Sequence, residues 1–476
     1  MTIQELIKLS GTGFGTSGVR GLEIALTDEV CGGYTKAFLS IFENEFVFKR
    51  VALGMDFRPS SPRIMQACSR MIKELGFEVD FCGVLPTPAL ANYAQEENIP
   101  AIMITGSHIP FDRNGMKFYR PNTEITKNDE FKIINSSLDV NSDISKSNTI
   151  SKNNTKAIDR YEARYENFFK QNALADLKIG LYEHSSVSRD IFRNILEKLG
   201  ATVISLERSE DFVPIDTEAV SFSDIERGLL WSKKYSFDSI ISTDGDGDRP
   251  LISDENGKWL RGDIVGLLCA DYLNISQVVV PISCNTSIEK SKKFDIVTRT
   301  RIGSPFVLEG IKALDTSNGT IAGFEANGGF ILATEIYKEK NVLNPLLTRD
   351  ALLPILTVLS AACEKNCSIS YLVNALPKRF TASDRLQNFA HEKSMKLINS
   401  IISDNSMNQL LNDNTCDIVS QDTLDGLRLT MANHEIIHLR PSGNAPELRC
   451  YVETDSELRS NCLIKSIIKA VEQTQL

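Results

Sequence analysis

Strand-like apolar runs alternate with helical patterns through the first three quarters of the 476-residue chain, and this alternation narrows the fold more than any other feature. Chains patterned this way bury their strands under helices, which predicts α/β architecture. Val51–Gly54 and Ala101–Thr105 read as buried strands. Between them, Ser61–Leu75 reads as a helix with Ser61 as cap, Pro62 at the first position and Gly76 as a stop. A second unit runs through Leu177–Tyr182, a helix near Val187–Leu199 ended by Gly200, and Ala201–Ile204. Strands at Val278–Ser283 and Gly319–Phe324 and a helix-rich stretch, Arg349–Leu376, make a third. From Pro377 on, two helical stretches, strand-like Leu427–Thr430, Glu435–Arg440 and Arg449–Glu453, and a last helix predict a smaller α+β domain.

A chain of 476 residues exceeds what one core sustains. Ile134–Thr155, rich in Ser, Asn, Asp and Lys, has the composition of a linker. With Gly257–Gly262 turning the chain into the third unit, the expected domains are 1–150, 151–257, 258–376 and 377–476.

Composition excludes several partners. Lys plus Arg is 52 against 62 acidic residues, a net charge of -10, and no long basic run occurs, so nucleic acid and anionic membranes are not expected partners. No apolar stretch approaches the roughly 20 residues that span a bilayer, and the polar start lacks a signal-peptide layout. Ten cysteines without CxxC pairs fit reduced thiols and a cytoplasmic location.

Four loops carry the chemistry. Asp244-Gly245-Asp246-Gly247-Asp248-Arg249 follows the apolar run Phe237–Ile241. Carboxylates two apart on an extended chain project the same way, and three at one point repel unless a hard divalent cation is bound. Arg249 adds a fork for phosphate or carboxylate. Asp244, Asp246, Asp248 and Glu255 also fit EF-hand positions one, three, five and twelve, but Arg249 stands where that loop needs Gly and a strand precedes it. Gly106-Ser107-His108 follows a strand, presents a serine at a tight turn, and leads to Lys117. Adjacent side chains such as Ser107 and His108 are expected to diverge, and no G-x-S-x-G elbow is present, so a serine hydrolase is disfavoured. A serine carrying a phosphoryl group beside a metal is the alternative use. Glu325 and Asn327 could grip vicinal sugar hydroxyls. Arg440, Ser442, Gly443, Asn444 and Arg449 make an anion nest at a turn between strands. A calcium-binding or non-catalytic sugar-phosphate-binding protein and a metal-dependent phosphatase with an aspartyl nucleophile are the readings from other classes.

Taken in order with Phe14–Gly21, Asp56–Pro62 and Leu85–Pro88, these loops resemble the α-D-phosphohexomutase family over nearly the whole chain, and most of all its bacterial phosphomannomutases. The resemblance implies four domains around a central cleft, three similar α/β domains and a smaller α+β one, each giving one loop. It implies that Ser107 is a phosphoserine and that Asp244, Asp246 and Asp248 hold Mg²⁺ with a phosphoserine oxygen. Glu325 and Asn327 would read the sugar, and Arg440, Ser442, Gly443, Asn444 and Arg449 would clamp the distal phosphate. Arg20, Lys117, Arg249 and His108 would belong to the reacting centre, with Lys117 a candidate general acid or base. The implied reaction joins mannose 6-phosphate and mannose 1-phosphate through a hexose 1,6-bisphosphate, also the activator, and feeds nucleotide-sugar synthesis; glucose and N-acetylglucosamine phosphates are the rival substrates. A monomer or homodimer is implied. This chain departs from the family pattern at Ile109, usually Asn, at Asn444-Ala445, commonly Thr-Glu, at Asn327, often Ser, and at Gly329, where several members have His.

Overall fold

The computed structural model describes residues 1–42, 45–140, 153–404, 417–442 and 446–473. Its first sheet orders Gly13–Phe14, Val19–Leu22, Arg113–Arg120, Ala101–Ile104, Arg50–Met55 and Glu78–Val84, with Thr123–Glu124 paired to Arg113–Arg120. Arg50–Met55 runs parallel to both Glu78–Val84 and Ala101–Ile104. Val51, Ala52, Leu53 and all of Ala101–Ile104 are buried, as expected where helices cover both faces and strands become continuous apolar runs. The helix Ser61–Glu74 begins one residue earlier than the sequence predicts, with Ser60 before it and Pro62 second. The cause is local: the Ser61 hydroxyl donates to Asp56 Oδ1 at 2.6 Å instead of capping the helix.

The second sheet orders Pro250–Ile252, Ser239–Thr243, Lys178–His184 and Thr202–Arg208. Ile296–Thr300, Gln277–Pro281, Ile321–Phe324, Phe330–Leu332 and Leu346–Asp350 form the third, parallel at its centre and antiparallel from Phe330 on. The last sheet is wholly antiparallel: Phe380–Gln387, Glu447–Thr454, Ile436–Pro441, Leu427–Met431 and Ile418–Asp422, with the helices His391–Asp404 and Glu457–Gln473 packed on it. Two of its strands, Phe380–Gln387 and Ile418–Asp422, lie at the edges and are largely exposed; only a few of their side chains, Leu386 among them, meet the core, so apolar alternation is weak and the sequence does not announce them. Part of the predicted linker, 141–152, lies outside the described residues, as do residues 405–416.

One apolar cluster runs through the first three units, joining Tyr93, Tyr165, Phe192, Ile241 and Phe324, whereas Leu427, Leu429, Leu439, Cys450 and Ile467 form a separate core in the fourth. The fourth unit therefore has its own core, and polar bonds tie it to the rest, among them Asn285 Nδ2 to Thr381 Oγ1 at 2.9 Å and Ile302 N to Asp425 Oδ2 at 2.9 Å. No helix among the described residues is long and apolar enough to cross a membrane.

Candidate active site

The strand Ser239–Thr243 ends in the loop that carries Asp244, Asp246 and Asp248, all buried. Convergence comes from a turn, not from the extended alternation the sequence suggests. The backbone N–H groups of Asp248 and Arg249 both donate to Asp244 Oδ1 at 3.2 Å, and Gly247 takes φ +72°, which only glycine adopts without strain. Strands flank the loop, and Glu255 binds Ser370 N at 3.1 Å instead of joining it, so the EF-hand is excluded.

One oxygen of the cluster after another is spoken for by the protein. Thr87 Oγ1 donates to Asp246 Oδ2 at 2.5 Å, and Lys117 Nζ lies 2.6 Å from Asp246 Oδ2 and 2.5 Å from Asp248 Oδ2. Asp246 Oδ1 and Asp248 Oδ1 are buried with no hydrogen-bond partner. One carboxylate oxygen from each aspartate lies within 4.8 Å of the others, making the triad a group that could hold a metal. Burial, then repulsion from Asp246 and Asp248, pushes the Asp244 carboxyl well above the usual range. An all-oxygen, anionic, partly unsatisfied cradle is what a hard divalent cation needs, so the donor set fits one.

Ser107 reaches this cluster from the first unit. Its hydroxyl donates to Asp244 Oδ2 at 2.7 Å, and its backbone takes φ +53°, a left-handed conformation uncommon for a side-chain-bearing residue. That twist corrects the expectation that Ser107 and His108 diverge: Ser107 Oγ lies 3.4 Å from His108 Nδ1. Arg249 Nη1 sits 2.7 Å from the same nitrogen. A guanidinium only donates, so Nδ1 is the acceptor and the neutral ring carries its proton on Nε2. Burial, then the charge of Arg249, holds His108 well below the usual imidazole range.

The Ser107 loop is held by a residue to which the sequence assigns no role. Arg58, buried, donates to four carbonyls: Pro110 O and Arg113 O from Nη1 at 2.7 Å each, Ser107 O at 2.9 Å and Ile109 O at 2.6 Å from Nη2. Asp56 lies 3.4 Å from its Nε, and the Phe212 ring lies 4.0 Å from its guanidinium carbon. A side-chain carbon at Gly106 would fall 2.5 Å from that guanidinium, so the glycine before the serine is required by space. The Asp56–Pro62 motif is the signal that could have found Arg58.

The remaining loops differ in how closely they join this centre. Glu325, buried, is linked to Asp248 by Arg349, another residue the sequence reading did not name. Asn327 uses its side-chain oxygen within its own turn, accepting from Gly329 N at 3.0 Å, while Thr217 Oγ1 of the second unit donates to its carbonyl at 2.8 Å. Arg20 lies on a strand beside the Lys117 strand, and its Nη1 donates to Val19 O at 2.8 Å; burial lowers its pKa to about 10, which leaves it charged. In the fourth unit, Arg440 and Arg449 are direct cross-strand partners and so share one face of the sheet. Arg440 Nε is held by Asp425 Oδ1 at 2.9 Å. Ser442 N donates to Glu447 O at 2.8 Å. Gly443 and Asn444 lie outside the described residues.

Four family models match the chain in order. They are the phosphoglucomutase/phosphomannomutase α/β/α domain I at residues 11–142, domain II at 159–257, domain III at 261–380, and the C-terminal domain at 397–469. The chain belongs to the phosphoglucomutase/phosphomannomutase family. Among the family's members, a phosphomannomutase of Salmonella muenchen is 48% identical over 98% of this chain and 97% of its own length. Another, from Sinorhizobium fredii, is 41% identical over 94% and 95%. The crystal structure of a family member from Burkholderia thailandensis shares the fold at 18% identity, with a TM-score of 0.76 and coverage of 100% of this chain and 99% of that one. A phosphoglucomutase/phosphomannomutase chain is a phosphotransferring isomerase of carbohydrate metabolism, and in this one the Ser107 loop touches the aspartate loop directly while Glu325 is linked to it through Arg349.

Proposed function

We propose that the chain interconverts mannose 6-phosphate and mannose 1-phosphate, with Ser107 carrying the transferring phosphoryl group. The observation that carries this reading is the Ser107 hydroxyl 2.7 Å from Asp244 Oδ2, inside a buried three-carboxylate cluster. Near-whole-length relatives named phosphomannomutase support mannose as the sugar.

In the forward direction, the bond between phosphorus and Ser107 Oγ breaks as a bond forms to a hydroxyl oxygen of the bound hexose phosphate. That hydroxyl loses its proton as Ser107 Oγ takes one up, so the products are a hexose 1,6-bisphosphate and a free serine hydroxyl. The bisphosphate turns end for end, and Ser107 takes the other phosphoryl group. Asp244, Asp246 and Asp248 would hold Mg²⁺, which when bound would neutralise charge on the transferring group. Arg20, Arg249 and Lys117 bring fixed positive charge to the same place. Lys117, its ammonium among the aspartates rather than facing open solvent, is the candidate general acid that gives the departing Ser107 Oγ its proton. His108, neutral and with Nδ1 engaged by Arg249, orients that arginine. Arg440, Ser442, Gly443, Asn444 and Arg449 take the phosphate that is not transferring, and Glu325 and Asn327 take sugar hydroxyls. Both ends of the sugar must use the same clamp in turn, and a fourth unit with its own core suits that exchange. Thiols without disulfides among the described cysteines support a cytoplasmic setting.

Phosphorus NMR with Mg²⁺, a trace of the bisphosphate, and mannose, glucose or N-acetylglucosamine 1-phosphate tests the reading. Mannose phosphates are expected to interconvert at the highest kcat/KM, and Ser107→Ala to abolish turnover while sugar-phosphate binding persists. Equal rates on all three sugars would remove the mannose assignment, and release of inorganic phosphate as fast as isomerisation would replace the mutase with a phosphatase.

A further inference from the structure

Arg349 lies at the end of the strand Leu346–Asp350 with its side chain buried between two carboxylates that the sequence places in different loops. Nη2 and Nε donate to Asp248 Oδ2 at 2.7 and 3.2 Å, and Nη1 donates to Glu325 Oε2 at 2.9 Å. A guanidinium is flat, permanently charged and presents two edges, so it fixes both the distance and the relative orientation of two carboxylates; an ammonium cannot. The bond to Asp248 Oδ2 leaves Asp248 Oδ1, like Asp246 Oδ1, unpartnered in the cradle.

Room for Arg349 comes from Gly329. A Cβ there would lie 2.5 Å from Arg349 Cδ, 2.9 Å from Cγ and 3.1 Å from Cβ. The glycine is not required by its backbone, which is outside the left-handed region; it is required by space. The arginine could not yield by moving its strand, because both neighbours are tied down. Thr348 Oγ1 donates to Glu124 Oε1 at 2.8 Å, and Asp350 Oδ1 accepts from Tyr161 at 2.6 Å and from Leu352 N at 2.8 Å.

We propose that Arg349 is a positioning residue that sets the metal-holding carboxylate of Asp248 and the sugar-facing carboxylate of Glu325 at one fixed spacing, and that Gly329 is the residue that admits it. The proposal rests on the roles given to those carboxylates above. It makes the metal loop and the sugar loop one mechanical unit, so displacing Arg349 disturbs both ligands at once.

Two variants test it by different routes. Arg349→Lys keeps the charge and loses the fork; Gly329→Ala keeps the arginine and pushes its stem aside. Full-length variants are compared with wild type by circular dichroism and thermal melting, by calorimetric titration with Mn²⁺ alone, and by kcat and KM on mannose 1-phosphate. The expected result in each is a folded protein with Mn²⁺ affinity weakened about tenfold or more, and with kcat falling by about the same factor or more while KM also rises. A purely structural part would lower the melting temperature and leave Mn²⁺ affinity and kcat per folded enzyme unchanged. Folded variants with Mn²⁺ affinity and kcat within about twofold of wild type would overturn the proposal. If Arg349→Lys fails to fold, Gly329→Ala decides alone. If wild type proves not to act on mannose phosphates, the proposed function fails while the Mn²⁺ titration still decides this proposal.

Discussion

At the scale of single residues, Arg58 shows how much of a reactive loop can depend on one side chain outside it. Four carbonyls of residues 107–113 accept from its two terminal nitrogens. Arg58→Ala would strip donors from buried or half-buried acceptors, each costing about 1–3 kcal/mol when left unmade. The expected loss is at least about 3 kcal/mol of stability, together with a fall in kcat of about 100-fold as Ser107 leaves its left-handed position. Denaturant unfolding and steady-state kinetics on the same preparation check both. The residues proposed to react were legible as candidates because the spacing such chemistry needs is local: three carboxylates in five positions, a serine after glycine, paired arginines flanking a turn. Arg58 and Arg349 were not legible as functional, because each acts over a long stretch of chain, and only the folded sheet reveals which carbonyl or carboxylate it meets. The convergence of Ser107 with His108 is illegible for a different, local reason: a positive φ at a non-glycine residue leaves no mark in the sequence.

At the scale of elements, apolar runs such as Val51–Gly54 and Val278–Ser283 gave away the central strands, because a strand covered on both faces has to be apolar throughout. The edge strands Phe380–Gln387 and Ile418–Asp422 escaped notice, since half-exposed strands face no such demand. One buried group in a central strand of the same sheet gives a pH prediction. His438, on Ile436–Pro441, stacks on Tyr451 with centroids 5.5 Å apart and lies 2.6 Å from Asp425 O through Nε2, while Nδ1 has no partner. Burial pushes its pKa down to about 4, from an unfolded value of 6.5. Between those values the unfolded chain takes up a proton that the folded chain refuses. Stability is therefore undiminished above pH 6.5 and falls as pH drops toward 4, by up to roughly 3 kcal/mol for this group. His184, also buried and lowered to about 4, adds to the slope in the same direction. Melting temperatures from pH 7 to pH 5 are expected to fall more steeply in wild type than in His438→Gln; equal slopes would contradict the assignment.

At the scale of the whole molecule, hydrogen bonds between units tie together the loops that the sequence presents as separate signals. Thr87 of the first unit binds Asp246 of the second, Thr217 of the second binds the Asn327 carbonyl of the third, and Asp425 of the fourth accepts from Ile302 N of the third while holding Arg440. Order along the chain made the four-loop arrangement readable, but these ties were not, as each joins positions that no local pattern relates. In the proposed reaction, Ser107 is the group through which phosphoryl transfer passes. The most direct measurement of this is to incubate the enzyme with Mg²⁺ and radiolabelled hexose 1,6-bisphosphate, locate the label by peptide mass spectrometry, and chase with unlabelled mannose 1-phosphate. The expected result is label on the peptide containing Ser107, lost to the sugar phosphate on the chase and absent from Ser107→Ala. Label on Asp244 or another residue, or a Ser107→Ala enzyme that still labels and turns over, would contradict the account.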